Sequence, residues 1–211
     1  MRFLPSSVFS DFWKRCFAAA LCLAAPFFAL ADPLSEARAR LAPEPMTRGE
    51  FVQTRELAGI RKALVSNGRF VVVRGLGVLW EDLAPFARTM RLTRSEILQT
   101  ADGQTLMRLS ADKEPVVGII TGILFGVLAG DLDALARGFD ASGEVENGRW
   151  RLEFTPKDAH LARLIRTLAM RGARDIEQVE IISAAGDATR IEFRAISHAR
   201  EIPADVRGRF E

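Results

Sequence analysis

The sequence predicts a mainly β protein: an antiparallel, strongly curved sheet with a few helices on one side. Three observations carry this. Segments of alternating apolar and polar residues follow one another along the chain, separated by turn residues rather than by helices. Helical patterns appear only near the start, in the middle and between 157 and 171, so the β-α-β alternation of a parallel sheet is absent. Between these stretches lies one apolar segment, Val116 to Gly130, with glycine at 118, 122, 126 and 130 and a single polar side chain, Thr121.

In chain order, "LSEARARLA" places Leu34, Ala37, Arg38 and Leu41 at helical spacing, and Pro43 and Pro45 end the helix. "EFVQTREL" alternates Phe51, Gln53 and Arg55 against Val52, Thr54 and Glu56, the pattern of a half-exposed strand. "ALVSNGRFVVVRG" is β-branched and apolar, with Asn67-Gly68 as a bulge or turn. "GVLWEDLAP" is a strand broken at Pro85. "ARTMRLTRSEILQT" and "QTLMRLS" flank Ala101-Asp102-Gly103, a hairpin signal. After the glycine-spaced segment, "ENGRWRLEFTP" sets Trp150, Leu152 and Phe154 on one face and Arg151 and Glu153 on the other. "IEQVEIIS", Ala185-Gly186-Asp187 and "ATRIEFRAIS" read as a hairpin in which Ile191 and Phe193 oppose Arg190, Glu192 and Arg194. Residues 157–171 fit two patterns. Leu161, Leu164, Ile165 and Leu168 have helical spacing behind a Thr155-Pro156-x-Asp158 cap, while Leu164, Leu168 and Met170 alternate as a strand does.

The first 31 residues read as a secretory signal. Arg2, Lys14 and Arg15 precede a mostly apolar run from Cys16 to Leu30, and Ala29-Leu30-Ala31 has the small-x-small pattern of a cleavage site. The run is short for a membrane span. Leu21 before Cys22 does not fit a lipid-attachment site. The expected product is a single exported domain, 32–211, of 180 residues once 31 are taken from 211, long enough for a sizeable core. Both cysteines leave with the signal, which excludes disulfides and thiolate chemistry and points to a bacterial periplasm. Of 29 basic and 27 acidic residues, three and one lie in the leader, so 26 of each remain. That balance offers no patch for nucleic acid.

No catalytic arrangement stands out. His160 and His198 are far apart among polar neighbours and read as surface residues. HExxH, GxSxG and phosphate-binding glycine loops are absent, as is tyrosine. Asp131 and Asp133 read as the solvated end of a helix rather than a metal pair. The expectation is a protein without enzymatic activity, metal or other cofactor. What remains is apolar surface. Phe51, Phe70, Val72, Trp80, Trp150, Leu152, Phe154, Ile191 and Phe193 would share the concave side of the sheet. As a helix, the segment from Val116 to Gly130 spans roughly 22 Å, less than the hydrocarbon thickness of about 30 Å. Its four glycines each cost about 1 kcal/mol of helix stability. It therefore reads as a marginal apolar helix, breaking near Gly122 or Gly126. It is expected to press over the concavity, with its glycine face on a backbone and Ile120, Ile123, Leu124, Val127 and Leu128 opposite.

These segments, taken together, resemble the periplasmic outer-membrane lipoprotein carriers of the LolA type. The likeness lies in Phe51-x-Gln53, Ser66-x-Gly68-x-Phe70, Arg74-Gly75 followed by Trp80, "LFGVLAGDLDAL", Trp150-x-Leu152 leading to Pro156-Lys157, and Gly186-x-x-Thr189-x-x-x-Phe193. The resemblance implies a half-open antiparallel β-barrel, a lid that would include Ile120, Leu124, Phe125 and Leu128, and a cavity formed by the nine apolar residues above. It implies a monomeric carrier in the periplasm of a Gram-negative bacterium, a chaperone for acyl chains. Its cargo would be acylated lipoproteins or other lipids, taken from an inner-membrane exporter toward an outer-membrane acceptor. It also implies a strand at 163–172. Where such carriers usually have Arg-Pro-Gly and an arginine just before the tryptophan, this chain has Arg74-Gly75-Leu76 and Leu79, and it ends at Glu211 without their extra carboxyl-terminal loop. A lipid- or lipoprotein-sensing regulatory module on the same fold is the alternative.

Overall fold

The computed structural model describes residues 32–41, 44–113 and 115–210, without the side chains of 115–117, 119 and 120. The signal segment and Pro43 lie outside the described residues. Eleven strands form one antiparallel sheet that does not close into a barrel.

The chain opens with α1 (Pro33–Arg40), whose first amides are capped by the Asp32 carboxylate. A meander follows: β1 (Met46–Glu56), β2 (Leu64–Val73), β3 (Gly77–Ala84), β4 (Arg88–Leu92), β5 (Glu96–Ala101) and β6 (Gln104–Ser110). Two helices, α2 (Pro115–Leu128) and α3 (Leu132–Gly138), interrupt the strands. The second meander is β7 (Phe139–Glu146), β8 (Arg149–Pro156), the short α4 (Ala159–Ala162), β9 (Ile165–Gly172), β10 (Ile176–Ser183) and β11 (Ala188–Ala199). The short α5 (Ala204–Gly208) ends the described chain. β11 pairs with β1, so the strand order runs β6-β5-β4-β3-β2-β1-β11-β10-β9-β8-β7.

That order places β6 and β7, which are consecutive strands, at opposite edges. The segment between them has to travel from one edge to the other, and α2 and α3 lie in it.

Several expectations are refined. The stretch 87–100 is two strands, because Thr93 turns the chain: its amide donates to Glu96 O at 2.8 Å, and its hydroxyl accepts from the Glu96 amide. The tight turn at Asp102-Gly103 has both residues at positive φ, as the hairpin signal predicts. Asn147-Gly148 adopts the same conformation and joins β7 to β8. The sequence reading left β7 out because, as an edge strand, it buries only Phe139 fully. Over 157–171 the cap and the strand hold but the helical spacing does not: of Leu161, Leu164, Ile165 and Leu168 only Leu161 lies in a helix. Asp158 caps α4, and β9 begins at Ile165. The Asp158 carboxyl is held below the usual carboxylate range by the backbone amide of Leu161, with that of His160 adding to it. α2 is continuous through Gly122 and Gly126, contrary to the expected break. The chain turns at Gly130 instead, at φ +66°.

Asn67-Gly68 is neither a turn nor the bulged pair: β2 pairs with β1 without a break, and the register shift against β3 there skips Leu83, so the extra residue lies on β3 opposite Asn67-Gly68. Gly68 has no room for a side chain. A Cβ would lie 1.8 Å from Glu81 O and 2.8 Å from the Phe51 ring. Gly68→Ala should therefore destabilise the fold by about 3 kcal/mol or more, measurable as a lowered urea midpoint. An unchanged midpoint would show that the β2–β3 approach is looser than this.

Candidate functional site

Alternation along four neighbouring strands aims four aromatic rings at one face. Phe51 of β1 stacks on Trp80 of β3 with ring centroids 3.7 Å apart. Phe193 of β11 meets Phe70 of β2 edge-on at 5.1 Å and Trp80 at 6.2 Å. Two glycines make the stacking possible. Phe51 crosses the position where Gly68 has no side chain, and Phe70 lies where a Cβ on Gly49 would come within 2.9 Å. On the other half of the sheet, Trp150, Leu152 and Phe154 alternate along β8 opposite Gly172, Met170 and Leu168 of β9. The Trp150 indole N–H donates to Ala173 O at 2.8 Å, which satisfies its one polar atom.

All nine expected cavity residues thus share one apolar cluster, and each is less than 10% exposed. They do not share one open space. Two cavities lie where the end of α2 turns into α3. The smaller, about 60 Å³, is lined by Phe70, Val72, Phe193, Leu128 and the turn at Gly130. The larger, about 410 Å³, is lined by Leu41, Val72, Val73, Phe125 and Leu132, with Arg38, Arg74, Arg94, Glu44, Asp131 and Asp133 at its rim. Phe51, Trp80 and Ile191 pack behind these walls. Neither cavity reaches Trp150, Leu152 or Phe154, which are 2% exposed or less.

α2 packs on α3 and approaches β3 and β5. Val127 and Thr121 are buried, and the Thr121 hydroxyl donates to Gly118 O at 3.0 Å, inside its own helix. Ile123, Leu124, Phe125 and Leu128 are only half-buried, although they pack against the core cluster. The Ile120 side chain lies outside the described residues. The glycine face is not seated on a backbone as expected. A Cβ on Gly126 would meet Leu135 of α3 at 2.3 Å, but Gly118 and Gly122 have nothing within 4 Å. Only one of the three is required for packing.

His160 is exposed, as read. His198 is not a simple surface residue: its ring bridges Thr47 Oγ1 and Asp175, each at 3.1 Å. Asp131 accepts from the Ala134 amide and caps α3, rather than ending a helix. Asp133 pairs with Arg38 at 2.5 Å. Among the described residues no group of three or more histidines, cysteines or carboxylates could hold a metal, and no helix is long and apolar enough to cross a membrane. The sequence reading missed Leu41 and Leu132 as wall residues and Arg74 and Arg94 as rim residues. Arg74 opens the Arg74-Gly75…Trp80 pattern. Arg94 lies inside the stretch "ARTMRLTRSEILQT", whose pattern does not mark the turn that presents it.

Residues 32–202 match the family of outer membrane lipoprotein carrier protein LolA-like sequences. The chain belongs to this family. A comparison with curated proteins gave no significant match. Among solved structures, the LolA-like chain is similar to a LolA superfamily protein from Nitrosomonas europaea (10% identity, 82% of this chain and 94% of that one, TM-score 0.43). It is also similar to a putative outer membrane lipoprotein-sorting protein domain from Vibrio parahaemolyticus (10% identity, 82% and 93%, TM-score 0.45). A third similarity is to the MucA/MucB complex of Pseudomonas aeruginosa (16% identity, 85% and 59%, TM-score 0.38).

The open surroundings of Gly118 and Gly122 make a direct prediction. Alanine at either position should stabilise the protein by about 0.5–1 kcal/mol through helix propensity alone. Gly126→Ala should destabilise it by about 1–3 kcal/mol through overpacking against Leu135. Denaturant midpoints of the three variants check the pattern; equal effects at all three would mean that α2 sits differently on the sheet.

Proposed function

We propose that this LolA-like domain is a periplasmic carrier that shields acyl chains of lipoproteins or other lipids between the inner and the outer membrane. One observation carries the reading: an apolar sheet face whose two edges stay apart is covered by an apolar helix that leaves Ile123, Leu124, Phe125 and Leu128 incompletely buried. An ordinary core helix would bury that face outright. In this reading α2 is the lid, with Leu124, Phe125 and Leu128 facing cargo and Ile120 assigned to it from the sequence.

Cargo enters where Phe125 and Val72 flank the larger cavity. About 410 Å³ is already within the range of about 300–1,000 Å³ typical of small-molecule sites. Phe70, Phe193, Trp80 and Phe51 form the next wall inward. Trp150, Leu152, Phe154 and Ile191 become cavity wall only if the lid opens the second half of the sheet. The protein does no chemistry on the cargo. The basic leader and Ala29-Leu30-Ala31 direct export and are removed, leaving Asp32 as the first residue. An inner-membrane donor and an outer-membrane acceptor are the partners this role requires.

Calorimetric titration of delipidated protein with saturated fatty acids of increasing length tests the reading. Each added methylene should tighten binding by about 0.8 kcal/mol, close to fourfold, until the cavity is filled. A flat series, in protein shown by intact mass to be empty, would contradict carriage and leave a protein-binding regulatory module as the surviving reading.

A further inference from the structure

The rim of the larger cavity carries three acidic and three basic side chains, but the two signs are not equally engaged. Asp133 is held by Arg38 at 2.5 Å. Glu44 is held by Arg174 at 3.5 Å, from outside this rim. Asp131 is turned to the amide of Ala134 at 2.9 Å. Arg74 and Arg94 remain, and among the described residues neither forms an ion pair or a side-chain hydrogen bond. Each is presented by a tight turn at the same end of the sheet. Arg74 follows β2, its amide fixed by Pro45 O at 2.9 Å, with Gly75 at positive φ behind it. Arg94 sits between the Thr93 and Ser95 hydroxyls in the β4–β5 turn. Behind both guanidinium groups the wall is apolar, formed by Val72, Val73 and Phe125.

An apolar wall below two guanidinium groups that have no ion-pair partner among the described residues is complementary to an amphiphile with an anionic head, although Asp131 keeps one negative charge at the same rim. We infer that the cavity selects acyl chains carrying a carboxylate or a phosphate, with Arg74 and Arg94 holding the head at the rim and the chain lying against Val72 and Phe125. This rests on the carrier reading and adds a choice among cargoes to it. Arginine suits the role because its planar fork pairs bidentately with either head group and stays charged at any physiological pH. Both side chains are exposed, so the preference is modest and sensitive to salt.

The test compares three probes of equal chain length on the purified protein: laurate, lauryl phosphate and neutral glyceryl monolaurate. At low ionic strength the anionic probes should bind about five- to tenfold tighter than the neutral one. The double variant Arg74→Gln/Arg94→Gln should lose that margin and keep its affinity for glyceryl monolaurate. Arg61→Gln/Lys62→Gln removes the same charge from the β1–β2 connection at the opposite end of β2 and should leave the margin intact. Preference for either anionic head over the neutral probe supports the inference and says which head is the better fit. Equal binding of all three probes overturns the inference while leaving the carrier reading standing. Loss of the margin in both double variants also overturns it, because the preference would then come from net charge rather than from this rim. Failure of all three probes to bind overturns the carrier reading and the inference with it.

Discussion

β6 and β7 are consecutive strands at opposite edges of an eleven-stranded sheet. With the sheet unclosed, two constraints act at once. Each edge presents unpaired backbone groups that water has to satisfy, and the apolar face between the edges has to be covered by something other than another sheet. The chain meets the second constraint with the same segment that connects the edges. α2 and α3 are therefore connection and cover together, and the connection cannot be shortened without uncovering the face.

This coupling accounts for the composition of α2. A helix that spans such a gap meets apolar surface on one side and must not lock onto it if the space below is to be used. Fourteen residues with glycine at 118, 122 and 126 make a weak helix held by tertiary contacts. The contacts are uneven. Gly126 and Val127 pack tightly near α3, and nothing would meet a Cβ at Gly118 or Gly122. The carboxyl-terminal end of α2 is thus its most closely packed end, next to the cavities, held against Leu135 of α3 and by Val127 in the apolar cluster.

The strands with strict alternation were legible from sequence because a half-buried strand writes its orientation into every second residue. Phe51, Phe70, Trp80, Trp150, Leu152, Phe154, Ile191 and Phe193 all fall on the buried face. β7 was hard to read, since the apolar face of this edge strand is Phe139, Ala141, Gly143 and Val145, small residues after the first, and only Asn147-Gly148 marked its end. In 157–171 the helical spacing from Leu161 to Leu168 is accidental, because α4 is only four residues long and Ile165 and Leu168 belong to β9; the resemblance, not the period, pointed to the strand. Residues of the site were half legible. Which side chains share a face follows from alternation, but which of them border empty space depends on where α2 stops. That is fixed by the turn at Gly130 and the cap at Asp131, and the sequence reading placed the break earlier. Arg74 and Arg94 come together from two turns distant in sequence, a proximity that no local pattern encodes.

The central claim is that α2 lifts from the apolar face when an acyl chain enters. The chain from Asp32 onward has no cysteine, so paired spin labels can be placed without interference. Gly118→Cys on exposed α2 and Glu153→Cys on the solvent side of β8 report the separation of cover and sheet. In the empty protein the distance distribution should be narrow, and saturating laurate should lengthen or broaden it. An unchanged distribution in protein shown to hold laurate would contradict the account, because cargo would then be entering beneath a helix that never moves.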